Sequence, residues 1–116
     1  MESEIIDVKD LKISGGPEIK DGSTILLLYK VALSEEALDR GGCIESTYSP
    51  DIPKEITVSK ESLIEGVYRG LLGMKGGGSV RRIKIPSSLA FGTRGYREVP
   101  SDASLFVELC IAAVLN

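Results

Sequence analysis

Three segments decide the reading: Ser62-Leu-Ile-Glu-Gly-Val-Tyr-Arg-Gly-Leu-Leu-Gly-Met74, Arg81-Arg-Ile-Lys-Ile-Pro-Ser-Ser-Leu-Ala-Phe-Gly92 and Val99-Pro-Ser-Asp-Ala-Ser-Leu-Phe-Val-Glu-Leu109. In the first, Leu63, Ile64, Val67, Leu71 and Met74 recur at helical spacing on one face, and Ser59 or Ser62 stands where a helix would start. Its glycines at 66, 70 and 73 each cost about 1 kcal/mol against alanine. Such a helix forms only when a sheet covers its apolar face, and the small residues let its backbone approach that sheet. In the second segment Ile83 and Ile85 alternate with Arg82 and Lys84. This predicts a strand over residues 80–85, with Arg81 and Arg82 solvated and Pro86 ending it. The loop over residues 86–100 has a length usually reserved for function. A last strand over residues 104–112 follows, with Leu105, Val107, Leu109 and Ile111 on one face and Glu108 and Cys110 on the other.

Residues 5–13 alternate apolar and charged side chains as an edge strand does. Ser14-Gly15-Gly16-Pro17, Lys20-Asp21-Gly22-Ser23 and Gly76-Gly77-Gly78 are turn signals. Residues 24–32 are continuously β-branched or leucine-rich, which suits a central strand buried on both faces. Residues 34–40, followed by two glycines, read either as a helical turn capped by Ser34 or as a long hairpin loop. Residues 43–48 resume as a strand, Pro50 and Pro53 force a stiff excursion, and residues 55–58 form a short strand. Strands outnumber helices and do not alternate with them. The expected fold is α+β, an antiparallel sheet of five to six strands wrapped around one short helix. All 116 residues are expected to form one domain.

Composition narrows the chemistry. The net charge of −3 comes with interleaved acids and bases and no basic stripe, which argues against nucleic acid. There is no histidine, so Ser–His and Cys–His nucleophile pairs are excluded, as is the commonest metal ligand. Cys43 and Cys110 follow no metal spacing and are expected to be reduced and partly buried. No metal or cofactor is expected. The longest apolar runs, residues 25–28 and 111–115, are too short to cross a bilayer. The acidic start Met1-Glu2-Ser3-Glu4 has no signal-peptide pattern, so no membrane association and a cytoplasmic location are expected. Phosphate loops, zinc spacings and nucleophile elbows are missing.

From about Leu11 to Ile111 the chain resembles the FKBP-type peptidyl-prolyl cis-trans isomerases. The resemblance is most specific in Gly70-Leu-Leu-Gly-Met74, in Ile85-Pro86 with Leu89-Ala90-Phe91-Gly92, and in Pro100 with Ala103, Leu105 and Glu108-Leu109. It implies a proline pocket between helix and sheet. The candidate catalytic positions are Glu45, Ile64, through its backbone N–H, and Phe91. The candidate substrate-binding set is Tyr29, Ile44, Leu63, Ile64, Val67, Phe91, Tyr96, Val99 and Val107.

The chain departs from the family pattern at several of these. Val31 replaces a glycine, Ile44 an aromatic, Val67 the floor tryptophan, Phe91 a tyrosine and Val107 a phenylalanine, while Glu45 keeps the acid with one more methylene. Tyr96 partly restores an aromatic rim. Losing the tryptophan face forfeits about 1–2 kcal/mol of proline burial. Losing the tyrosine hydrogen bond costs about 0.5–1.5 kcal/mol. The expected function is a weak isomerase of X–Pro bonds in flexible or unfolded chains. The alternatives are a non-catalytic module of the same fold that binds a peptide or protein, and a purely structural domain using its insertion for contacts. Relative to the short family pattern the chain has a short insertion at about residues 34–42, expected near the pocket mouth. Val67, Phe91 and Val107 either border an open pocket or fill a collapsed one. Tight macrolide binding is not expected.

Overall fold

The computed structural model describes residues 5–48 and 52–115. Its strands and helices run in the order β1 (Asp7–Lys12), β2 (Thr24–Ala32), α1 (Glu35–Arg40), β3 (Glu45–Ser46), β4 (Lys54–Thr57), α2 (Glu65–Leu71), β5 (Val80–Ile85) and β6 (Leu105–Val114). Two 3-10 turns, Ser87–Leu89 and Gly92–Arg94, interrupt the long loop before β6. Every pairing is antiparallel, in the order β1-β5-β6-β2-β3, with β4 sharing the outer edge of β2 beside Thr24 to Leu27. Together these make the six-stranded α+β sheet that the residue pattern predicts, with β1 at one edge.

Period-two alternation gives the sheet two unlike faces. Ile25, Leu27, Ile83, Ile85, Leu105, Val107, Leu109 and Ile111 are buried on the face that carries α2, where they meet Tyr68, Leu71 and Met74. Two glycines permit the close approach of helix to sheet. A Cβ built on Gly66 would lie 2.2 Å from Ile85 Cγ2, and one on Gly70 would lie 2.7 Å from Ile83 Cδ1. The glycines that weaken the helix locally are therefore what let it dock.

Several details differ from the sequence expectations. The helix starts at Glu65, after an extended Ile64 with no side-chain cap. Ser62 turns back instead, its hydroxyl donating to Thr57 O at 3.1 Å and pairing with Ser59 Oγ at 2.7 Å. The strand expected over residues 43–48 is a two-residue ladder, though Ile44 N–H and Thr47 N–H still donate to Val31 O and Tyr29 O, both at 2.8 Å. Pro50 lies outside the described residues, and Pro53 directly precedes β4.

The segment expected to be an insertion does form a helix. The Ser34 hydroxyl accepts from Ala37 N–H, and Gly41, at φ 86°, closes the other end. It does not lie at the pocket mouth. α1 covers the opposite face of the sheet, burying Leu38 against β2 and β6. That back face is also not the solvated one expected for the arginine pair. Arg82 donates from Nε to Glu108 Oε1 at 2.9 Å, reaches Asp39 and lies 3.6 Å from Glu35. Arg81, on the α2 face, pairs with Asp10 at 2.7 Å and donates to Gly70 O. A strand interior that presents charge to packed helices cannot leave it unpaired, so both arginines are only about one-sixth exposed. Cys43 and Cys110 are partly buried and unbridged. No helix of the described residues is long and apolar enough to cross a membrane.

Candidate functional site

Val67, in the first turn of α2, looks towards the concave side of the sheet, where the fold leaves two adjoining hollows. The first, of about 240 Å³, is lined by Ile44 just before β3 and Glu45 of β3, by Leu105 and Val107 of β6, and by Phe91, Tyr96, Arg97, Glu98 and Val99 of the long loop. The second, of about 180 Å³, is lined by Leu27 and Tyr29 of β2, Lys54 and Ile56 of β4, Ser62 and Leu63 before α2, and Leu109. Val31, Ile64, Val67 and Val107 line both and form the ridge between them. Where a tryptophan floor would span the site, four aliphatic side chains divide it, and the space is open rather than packed shut.

All nine candidate substrate-binding residues therefore converge, but not in one chamber. Ile44, Phe91, Tyr96 and Val99 border only the first hollow, Tyr29 and Leu63 only the second, and Ile64, Val67 and Val107 both. Leu27, Leu105 and Leu109 were readable from strand alternation, since they share a face with Tyr29 and Val107. Arg97, Glu98, Lys54 and Ile56 carried no such signal.

Ile64 sits at the head of α2, where helix geometry leaves the first N–H groups without partners. Its carbonyl accepts from Val67 and Tyr68 N–H, both at 3.1 Å, and among the described residues its own N–H meets no acceptor. Across the hollows Tyr29 O–H donates to the Glu45 carboxylate. Burial first, then this bond and the carboxylate charge, push the Tyr29 hydroxyl far above its ordinary range. At neutral pH it is a protonated donor already committed to Glu45.

The rim is built for shape. Phe91 and Tyr96 stack at 5.0 Å between centroids, and the Arg97 guanidinium lies 5.2 Å over the Tyr96 ring. Tyr96 and Val99 exchange both backbone hydrogen bonds, at 2.9 and 2.8 Å, around an Arg97-Glu98 tip in which Arg97 has φ 52°. Gly95 makes this hairpin possible. It has φ 66°, and a Cβ there would fall 2.4 Å from Val99 O. Among the described residues no three His, Cys, Asp or Glu side chains converge as a metal-ligand set. What the arrangement offers is a divided, largely apolar cleft with a backbone donor on its ridge.

A family model described as FKBP-type peptidyl-prolyl cis-trans isomerase matches residues 16–110. This chain belongs to that family. The FKBP domain is 29% identical over 104 residues to FK506-binding protein 4 of Chaetomium thermophilum, covering 90% of this chain and 20% of that one. It is 41% identical over 64 residues to the mouse peptidyl-prolyl cis-trans isomerase FKBP10, covering 55% of this chain and 11% of that one. The chain thus spans a fifth or less of the length of these relatives. In fold it is similar to the N-terminal domain of FKBP42 from Arabidopsis thaliana, with TM-score 0.81 at 22% identity, covering 98% of this chain and 89% of that one. It is also similar to FkpA from Escherichia coli, with TM-score 0.79 at 23% identity, covering 94% and 47%.

Proposed function

We propose that this FKBP domain binds X–Pro segments of flexible or unfolded chains across the Val31–Val67 ridge and speeds their cis-trans exchange weakly. The observation that carries this is the pair of open apolar hollows on either side of Ile64, whose N–H has no acceptor among the described residues. A peptide carbonyl held there would have one hollow for the proline ring and one for the neighbouring side chain.

The mechanism needs no proton transfer. The barrier to rotation about the amide is about 20 kcal/mol and comes from resonance. Water favours the planar, more polar amide over the twisted one. A dry cleft that grips both flanking groups removes that preference, and only interactions stronger in the twisted state raise the rate. Ile64 supplies a fixed donor, the Phe91–Tyr96 stack closes one wall, and Tyr29 holds Glu45 at the lip. The missing tryptophan face and tyrosine hydroxyl together remove roughly 1.5–3.5 kcal/mol of possible stabilisation. That places the expected rate about ten- to several-hundredfold below a domain with the full aromatic set. The same depletion predicts weak or absent macrolide binding.

Exchange NMR on a peptide containing Leu-Pro-Phe, titrated with protein, tests the proposal. Cis-trans exchange that accelerates in proportion to protein concentration supports it. Shift changes without faster exchange would leave a binding module of the same fold. No change of either kind would overturn both.

A further inference from the structure

The charged cluster on the back of the sheet has no part in the cleft, yet both flanks of the Ile44–Glu45 rim are seated on it. Upstream, α1 is gripped by two cations. Lys30 Nζ donates to Leu38 O at 3.0 Å, and Arg82 reaches Asp39 and Glu35. Ala37 O then accepts from Gly42 N–H at 2.9 Å, one residue before Cys43, and Ile44 follows at once on Val31. Downstream, Tyr48 lies under Lys30, with Nζ 5.2 Å from its ring centre, and its hydroxyl is buried beside Glu108. Glu108, itself buried, joins the two cations, with Arg82 Nε at 2.9 Å and Lys30 Nζ at 3.9 Å.

The rim itself is thin. β3 has two residues and sits at the sheet edge, held by Ile44 N–H to Val31 O and Thr47 N–H to Tyr29 O. A segment this short has little stability of its own. We infer that Lys30 and Arg82 are positioning residues, which fix Ile44 and Glu45 over the first hollow by clamping α1 and Tyr48 to the far side of the sheet. The geometry makes the insertion a brace for the substrate cleft rather than a separate contact surface.

The inference rests on the cleft being the X–Pro site, and its test separates the two. The double variant Glu35→Gln, Asp39→Asn removes the grip of Arg82 on α1 and leaves the buried Arg82–Glu108 bond intact. It should stay folded by far-ultraviolet circular dichroism. Its KM for the Leu-Pro-Phe peptide should rise about two- to fivefold, the scale of partly exposed ion pairs, with kcat unchanged. Asp39→Glu alone, which keeps both carboxylates, should leave KM at the wild-type value. Independently of turnover, amide hydrogen exchange at Ile44 and Thr47 should speed up in the double variant while Ile25 and Leu109 stay protected. A folded double variant with wild-type KM and wild-type exchange at Ile44 and Thr47 overturns the inference. So does a loss confined to kcat. If the wild-type domain proves inert towards the peptide, the site reading falls, and the amide exchange alone then decides for or against the brace.

Discussion

Replacing Val67 by tryptophan tests most directly whether the ridge is the floor of the cleft. Val67 borders both hollows, of about 240 and 180 Å³, so an indole there has space on either side. It would present a broad face where the valine presents two methyl groups. If a bound proline ring covers about 40–80 Å² more of that face, area bookkeeping at about 25 cal/mol/Å² gives about 1–2 kcal/mol. Because the ring is gripped while the amide twists, this gain belongs to the transition state as well as to binding. It corresponds to about a five- to thirtyfold rise in kcat/KM. The assay is exchange NMR on the Leu-Pro-Phe peptide, with urea unfolding of the same samples. The control is Val67→Leu, which adds bulk without an aromatic face and should change the rate little. A Val67→Trp domain that is folded, more stable and no faster would refute the reasoning. It would mean that the indole fills the hollows and that they are packing space, not a substrate site.

The packing and hydrogen bonding of the domain lead to three further outcomes. Gly66→Ala should destabilise the domain by roughly 2 kcal/mol, since overpacking against Ile85 costs about 3 kcal/mol and helix propensity returns about 1. In a double-mutant cycle measured by urea unfolding, Ile85→Ala should absorb most of that loss. Gly95→Ala should lower peptide affinity more than global stability, because it breaks the Tyr96–Val99 hairpin at the rim while leaving the core intact; equal binding by the two proteins would count against that hairpin shaping the cleft. The Tyr29, Tyr48 and Tyr68 hydroxyls are all held above the ordinary value of 10.0 in the folded state. A hydroxyl whose folded pKa is raised contributes stability that is full below the unfolded pKa and is lost as pH rises through the folded one. Urea midpoints should therefore hold up to about pH 10 and fall above it. Tyr29→Phe should make that alkaline fall shallower, and an unchanged slope would mean that its burial and its bond to Glu45 contribute nothing.

The residue pattern was most legible where structure is periodic. β2 and β5 lie over the residues that alternation and apolar runs assigned to them, and β6 continues only slightly beyond its expected end. Helix boundaries were less legible. Ser62 has the chemistry of a cap, but its hydroxyl is claimed by Thr57 O, and nothing near it in sequence reveals that competition. Arg82 looked like a solvated residue because its partners, Asp39 and Glu108, lie far from it along the chain. The cleft was legible to the extent that its residues match a family pattern. Its division was not, because Val31 becomes a partition only when β2 stands opposite Ile64 and Val67.

From its residues alone this chain determined an antiparallel sheet, a glycine-bearing helix that must dock closely on it, and membership of a fold whose cleft is apolar. The first two follow from side-chain periods of 2 and 3.6 and from where a Cβ is absent, which are local properties, and the third from the match of three segments to a family pattern. Tertiary structure alone decided that the cleft is open and two-chambered, that β4 brings Lys54 and Ile56 to it, and that α1 lies behind the sheet. Each of these depends on which distant strands pair and which face they turn inward, and no local spacing encodes that.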